Sequence, residues 1–193
     1  MSFHFGVLYT WVWQSCRFED IIVQPKIHRG RNNAEGYRFA IVVSRWNDFL
    51  TSKLVDGAMD AFESHGADES AVEIFKVPGS FELPLTCMKV ASSGNFDAVL
   101  AIGVVIRGET PHFDYVAGEA AKGVAQAGMQ SGVPVMFGVI TANTLEQAIN
   151  RCGVKAGNKG YEAAVSAIEI VNLYRSIEKE HSKGGEKVLQ HVV

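Results

Sequence analysis

Ala101-Ile-Gly-Val-Val-Ile-Arg-Gly-Glu-Thr-Pro-His-Phe-Asp-Tyr-Val116 decides the reading of this chain. From Val99 to Ile106 the residues are continuously apolar, which predicts a strand covered on both faces, as in a parallel sheet. Arg107 to His112 then forms a polar cluster at the carboxyl end of that strand, and a helical pattern follows at once. In open α/β sheets ligands bind at that end, and a helix start offers unpaired N–H groups to an anion. His112 lies in this cluster, and an imidazole with an unperturbed pKa of about 6.5 exchanges protons near neutrality. On this stretch alone, a histidine that merely caps or packs is an equal reading.

Working outward, Arg38–Ser44 reads as a first buried strand and Arg45–Asp48 as the loop after it. Leu50, Leu54, Val55, Ala58, Met59 and Phe62 recur at helical spacing, with Gly66 as the stop. Val72–Val77 gives a second strand, Pro78-Gly79 a turn, and Ser80–Pro84 the entry to a helix that accepts Pro84 in its first turn. Val133–Ile140 reads as the fourth strand, Thr141 as part of the loop after it, 153–160 as a mobile link, and Tyr161–Glu178 as the last helix. That helix carries apolar residues on two faces, which predicts burial from two sides and a subunit contact. The alternation of strands and helices predicts a three-layer α/β/α sandwich of the flavodoxin type, with a four-stranded parallel sheet and right-handed crossovers. Residues 1–35 read as an N-terminal extension, flexible or partly strand, because Phe3, Phe5, Val7, Tyr9, Trp11 and Trp13 alternate. Residues 36–180 form the folded domain and 181–193 a flexible, solvated tail.

A chain of 193 residues, 47% hydrophobic and 20% charged, supports one sizeable core. Its net charge of −3 comes without a basic stripe, which argues against nucleic acid as partner and for small molecules. Cys16, Cys87 and Cys152 are widely spaced and suggest neither a disulfide framework nor a zinc site, as fits a reducing cytoplasm. No apolar run reaches the roughly 18 to 20 residues of a membrane helix, and no secretory signal is recognisable, so a soluble protein is expected.

The polar groups gather after the strands: Trp46 after the first, Ser80–Glu82 after the second, Arg107–His112 after the third and Thr141 after the fourth. Neither a Walker sequence nor a G-x-G-x-x-G after strand one is present. Trp46 offers a platform for a planar heterocycle with Phe137 as a second wall, and Arg107, Arg151 and Lys159 are cations for a phosphate. Singly, each has a bland reading: the aromatics as core, Glu82 as a helix-start charge, the cations as solvated or paired. Their common location favours a site.

Arg45-Trp-Asn-Asp-Phe49, Val77-Pro-Gly-Ser-Phe-Glu-Leu-Pro84, Gly103–Val116, Phe137-Gly-Val-Ile-Thr141 and Lys155–Gly160 closely resemble, in order and spacing, the 6,7-dimethyl-8-ribityllumazine synthase family. The resemblance covers about residues 37 to 178. It implies condensation of 5-amino-6-(D-ribitylamino)uracil with 3,4-dihydroxy-2-butanone 4-phosphate, the penultimate step of riboflavin synthesis, without organic or metal cofactor. Trp46 matches the aromatic that stacks on the pyrimidine, more often Phe in the family. Ser80, Phe81 and Glu82 match the ribityl-binding segment, Val104, Val105 and Ile106 the backbone strip beside the ring, and Phe137 a further contact to the same substrate. Glu109 and Thr110 match the phosphate-binding turn, Arg151 the guanidinium anchor, Lys159 a lysine near the phosphate, and His112 the proton donor. Cys152 and Val154 depart from the small or hydroxylated residues usual in the family, which bears on the packing of the link.

The resemblance further implies a homo-oligomer: pentamers with sites shared between neighbours, and, since the link is short, an icosahedral 60-subunit capsid that could enclose riboflavin synthase as a guest. Two other functions fit the same fold, a flavin-binding module without chemistry and a shell protein with vestigial catalysis. An absorbance assay for lumazine formation separates them.

Overall fold

Strand β3 (Ala98–Ile106) is buried from Ala98 to Val105 in the computed structural model, which describes residues 25–155 and 157–189. It pairs in parallel with β1 (Phe39–Ser44) on one side and with β4 (Val135–Ala142) on the other, and β1 pairs in parallel with β2 (Val72–Val77). The order β2-β1-β3-β4 explains the burial patterns. The two inner strands have no solvated face and therefore no polar alternation. The edge strands carry partly exposed residues, Ile74 on β2 and Phe137 on β4.

Period-2 alternation sorts the inner strands into two cores. Phe39, Ile41, Leu100 and Ile102 face α1 (Asp48–Ser64) and α5 (Lys159–Leu189), whereas Ala40, Val42, Val99 and Ala101 face α2 (Leu83–Ala91) and α3 (His112–Ser131). Phe39 packs on Phe62 of α1 with ring centroids 4.4 Å apart, and burying a side chain of this size contributes about 1.5–3 kcal/mol. This is the expected three-layer sandwich. Gly66 takes the left-handed conformation that stops α1 (φ 86°), and Pro84 sits in the first turn of α2.

The structure moves several expected boundaries. Strand β4 starts at Val135, because Pro134 has no N–H and joins the ladder only through its carbonyl, which accepts the Val99 N–H at 2.9 Å. It ends at Ala142, so Thr141 is in the strand and not in the loop after it. The last helix runs past Glu178 to Leu189, where a tail was expected from 181. Ala163, Ala164, Ala167, Ile168 and Val171 are all buried, so much of the apolar circumference of α5 is covered within one chain, while Tyr174 remains exposed. The link expected to be mobile is tied at its two ends: Cys152 and Asn158 form a bridge, and the Asn158 amide donates to the Lys53 carbonyl at 2.8 Å. It joins α4 (Leu145–Asn150) to α5. Residues 25–35 carry neither strand nor helix and lie along α5. Ala34 donates its N–H to the His65 carbonyl, Asn172 donates to the Asn33 carbonyl, and Lys26 pairs with Glu180. The strand expected over Phe3–Trp13 lies outside the described residues. Among the described residues no helix is long and apolar enough to cross a membrane.

Cys87 and Cys152 are free and buried. Burial pushes the Cys87 thiol up to about 12 and raises that of Cys152, so neither presents a thiolate near neutrality. In a Cys16→Ser variant at pH 8, an aromatic disulfide reagent is expected to titrate no thiol in the native protein and two after denaturation. Rapid native-state reaction would show that this core opens.

Candidate active site

Crossing from β1 to β2 carries the chain to one side of the sheet, and the later connections carry it to the other. The switch point therefore lies between β1 and β3, and the loops after these strands separate to leave a crevice. A cavity of about 620 Å³ opens there.

The β1 loop supplies Trp46, whose side chain is held out at 74% exposure. Its backbone is fixed from the neighbouring strand: Arg45 donates its N–H to the Val77 carbonyl and Trp46 to that of Pro78. From the turn after β2 come Ser80, Phe81 and Glu82, a 3-10 turn leading into α2. Glu82 Oε2 accepts the Gly79 N–H at 2.8 Å, so the helix-start role is real, and the carboxylate also borders the cavity. Strand β3 contributes Val104, Val105 and Ile106. Below them Gly103 leaves room for two hydroxyls: a Cβ there would stand 2.6 Å from Ser80 Oγ and 3.3 Å from Ser44 Oγ, so these side chains would have to shift.

Thr110 and His112 complete the wall, His112 as the first residue of α3. Arg107 is the residue whose expected role changes. Its guanidinium is not free for a phosphate: it donates to both Asp114 oxygens at 3.0 and 2.8 Å, to Asn143 Oδ1 at 3.1 Å, and lies 4.1 Å over the Phe113 ring. The pair closes the 107–114 turn onto the first turn of α3. Hydrogen bonding to Arg107 holds the Asp114 carboxyl below its ordinary value. The clasp is thus complete above about pH 4 and is lost as pH falls through that depressed value.

Four predicted residues do not line this cavity. Glu109 is exposed on the turn, and Phe137 is half-exposed on the edge strand β4. Arg151 and Lys159 form a second group of their own. The Lys159 N–H donates to the Arg151 carbonyl at 3.0 Å, so the Cys152–Asn158 bridge sets the two cations side by side. Arg151 also donates to the Gln147 carbonyl, and Lys159 pairs with Glu162. Seven lining residues, Asn47 and Tyr115 among them, are not in the predicted set of site residues. Asn47 had been read only as loop; Tyr115, one turn into α3 beside His112, was findable from helical spacing.

The cavity is bordered by an indole, the apolar end of β3, a carboxylate, the hydroxyls of Ser80, Thr110 and Tyr115, and an imidazole, a set of groups that suits a planar polar ring. Comparison with known proteins agrees with that chemistry. A family model described as 6,7-dimethyl-8-ribityllumazine synthase matches residues 36–175. A relative of that name from Chlorobium phaeobacteroides is 57% identical over 153 residues, spanning 79% of this chain and 99% of the relative.

Proposed function

The chain belongs to the 6,7-dimethyl-8-ribityllumazine synthase family, and on that premise we propose how its residues divide the work. As a transferase of riboflavin biosynthesis it condenses 5-amino-6-(D-ribitylamino)uracil with 3,4-dihydroxy-2-butanone 4-phosphate, giving 6,7-dimethyl-8-ribityllumazine, phosphate and water. The observation that carries the assignment of residues is the convergence of Trp46, Ser80–Glu82, Val104–Ile106, Thr110 and His112 on one cavity.

In our reading the pyrimidine stacks on Trp46 against the β3 strip, and Ser80, Phe81 and Glu82 receive the ribityl chain. Holding the amine against the butanone carbonyl removes much of the entropic cost of a two-substrate reaction. Imine formation expels the carbonyl oxygen as water and needs proton transfer, a role that the position of His112 on the cavity wall supports. Phosphate leaves as its charge is stabilised by Thr110, the turn at Glu109 and the N–H groups at the start of α3, with Arg151 and Lys159 as cations. Ring closure with loss of water completes the product.

Because Phe137, Arg151 and Lys159 do not line the cavity of their own chain, we assign them to the cavity of a neighbouring copy. This favours a homo-oligomer, read here as a pentamer or a 60-subunit capsid of pentamers, which light scattering distinguishes. A cytoplasmic location accords with the two free buried thiols. Replacing Arg151 with Ala is expected to raise KM for the phosphate substrate by about 10- to 100-fold, the size of a lost charge-assisted hydrogen bond, with little change for the uracil. Weakened binding of the uracil alone would reverse the roles. At butanone phosphate well below the KM of R151A, co-assembled H112A and R151A chains are expected to be more active than either variant alone, since some shared sites then hold both residues. No recovery in mixed oligomers would place Arg151 outside a shared site.

A further inference from the structure

Asn47 combines three departures from ordinary behaviour. Among the described residues it is the single non-glycine with positive φ (φ 59°, ψ 41°), a conformation that asparagine tolerates better than most. It occupies the N-cap of α1, where an asparagine normally accepts a hydrogen bond from the helix through its side chain, yet no such bond is made. Only its backbone carbonyl serves the helix, accepting from Leu50 and Thr51. The side chain is committed elsewhere: Nδ2 donates to the Val104 carbonyl at 2.8 Å, joining the loop after β1 to the strand end of β3. The donor must be the amide nitrogen, since a carbonyl cannot donate back.

This bond joins two residues that both line the cavity. The residue before Asn47 is the exposed Trp46, and the group Asn47 holds begins the Val104–Ile106 strip. Among the described residues Trp46 belongs to neither core cluster that would fix its height beside that strip. A left-handed residue that forgoes its helix cap to tie two cavity walls together is the pattern expected where a backbone constraint serves a site.

We propose that Asn47 is a positioning residue that sets the gap between the Trp46 ring and the Val104–Ile106 strand edge, and so the affinity for the planar uracil substrate. This rests on the assignment of the cavity to that substrate.

The test uses the full chain with Trp11 and Trp13 replaced by Phe, so that Trp46 is its one remaining indole. Asn47→Gly keeps the left-handed backbone and removes the tether. Asn47→Asp puts a carboxylate oxygen where the donor stood. Both are expected to raise KM for the ribitylaminouracil about five- to tenfold, as loss of one hydrogen bond would. KM for the butanone phosphate should stay within about twofold, and quenching of Trp46 fluorescence by the uracil should shift to the same higher concentrations. If these variants lower the melting temperature but leave both KM values and the quenching curve unchanged, Asn47 is a helix-start residue only and the proposal fails. Failure of the parent to form lumazine from the two substrates would instead overturn the assignment of function, so the two failures are told apart.

Discussion

Replacing His112 with Ala is expected to lower turnover by about 10²- to 10⁴-fold, the range that a positioned general acid or base contributes. The loss should be chemical and not structural. His112 opens α3 but Pro111 is the N-cap, and no side-chain cap bond is made there. The imidazole has no hydrogen-bond or ion-pair partner among the described residues and borders the cavity beside Thr110. Removing it therefore breaks no contact that holds the turn, whose geometry is set by Arg107 and Asp114. Steady-state kinetics with both substrates should show kcat reduced and each KM changed by no more than a few-fold. Unchanged turnover would remove His112 from the mechanism. An Arg107→Ala chain, by contrast, would lose the turn itself, so the two defects differ in kind.

Gly160→Ala should have the largest effect on stability. A Cβ at Gly160 would stand 1.9 Å from the Leu54 carbonyl oxygen and 2.6 Å from its carbon. Both are backbone atoms of α1, so no rotamer can relieve the overlap and the α1–α5 crossing must open. Such overpacking costs about 3 kcal/mol, at the upper end of the usual range. That corresponds to a melting temperature lower by about 6–12 °C in a chain of this size. The same displacement would carry Lys159 and the Arg151 carbonyl bonded to it, so affinity for the phosphate substrate should fall as well. A melting temperature within 2 °C or so of the parent would show that the crossing yields freely.

The parts of this fold legible from residue order were those governed by local pattern. Strands β1 and β3 announce themselves because a strand covered on both faces admits no polar residue, and the site follows because the polar residues resume where the strands end. Boundaries set by partners were less legible. Strand β4 is shifted because Pro134 can contribute only an acceptor, and Ala142 is drawn into the ladder by the Arg107 N–H. Arg107 looked like a free cation, since nothing local says that Asp114 will meet it with both oxygens. The helix runs on to Leu189 where a tail was expected from 181, passing through Gly184 and Gly185. Asn47 was illegible for a stronger reason: its role depends on a single dihedral and on a carbonyl 57 positions away.

Lys26 meets Glu180 on α5, and Asn33 is held by Asn172 of the same helix. Neither Lys26 nor Glu180 borders the catalytic crevice. A fluorophore carried at position 26 would therefore ride on that helix, apart from the residues that line the substrates' route in.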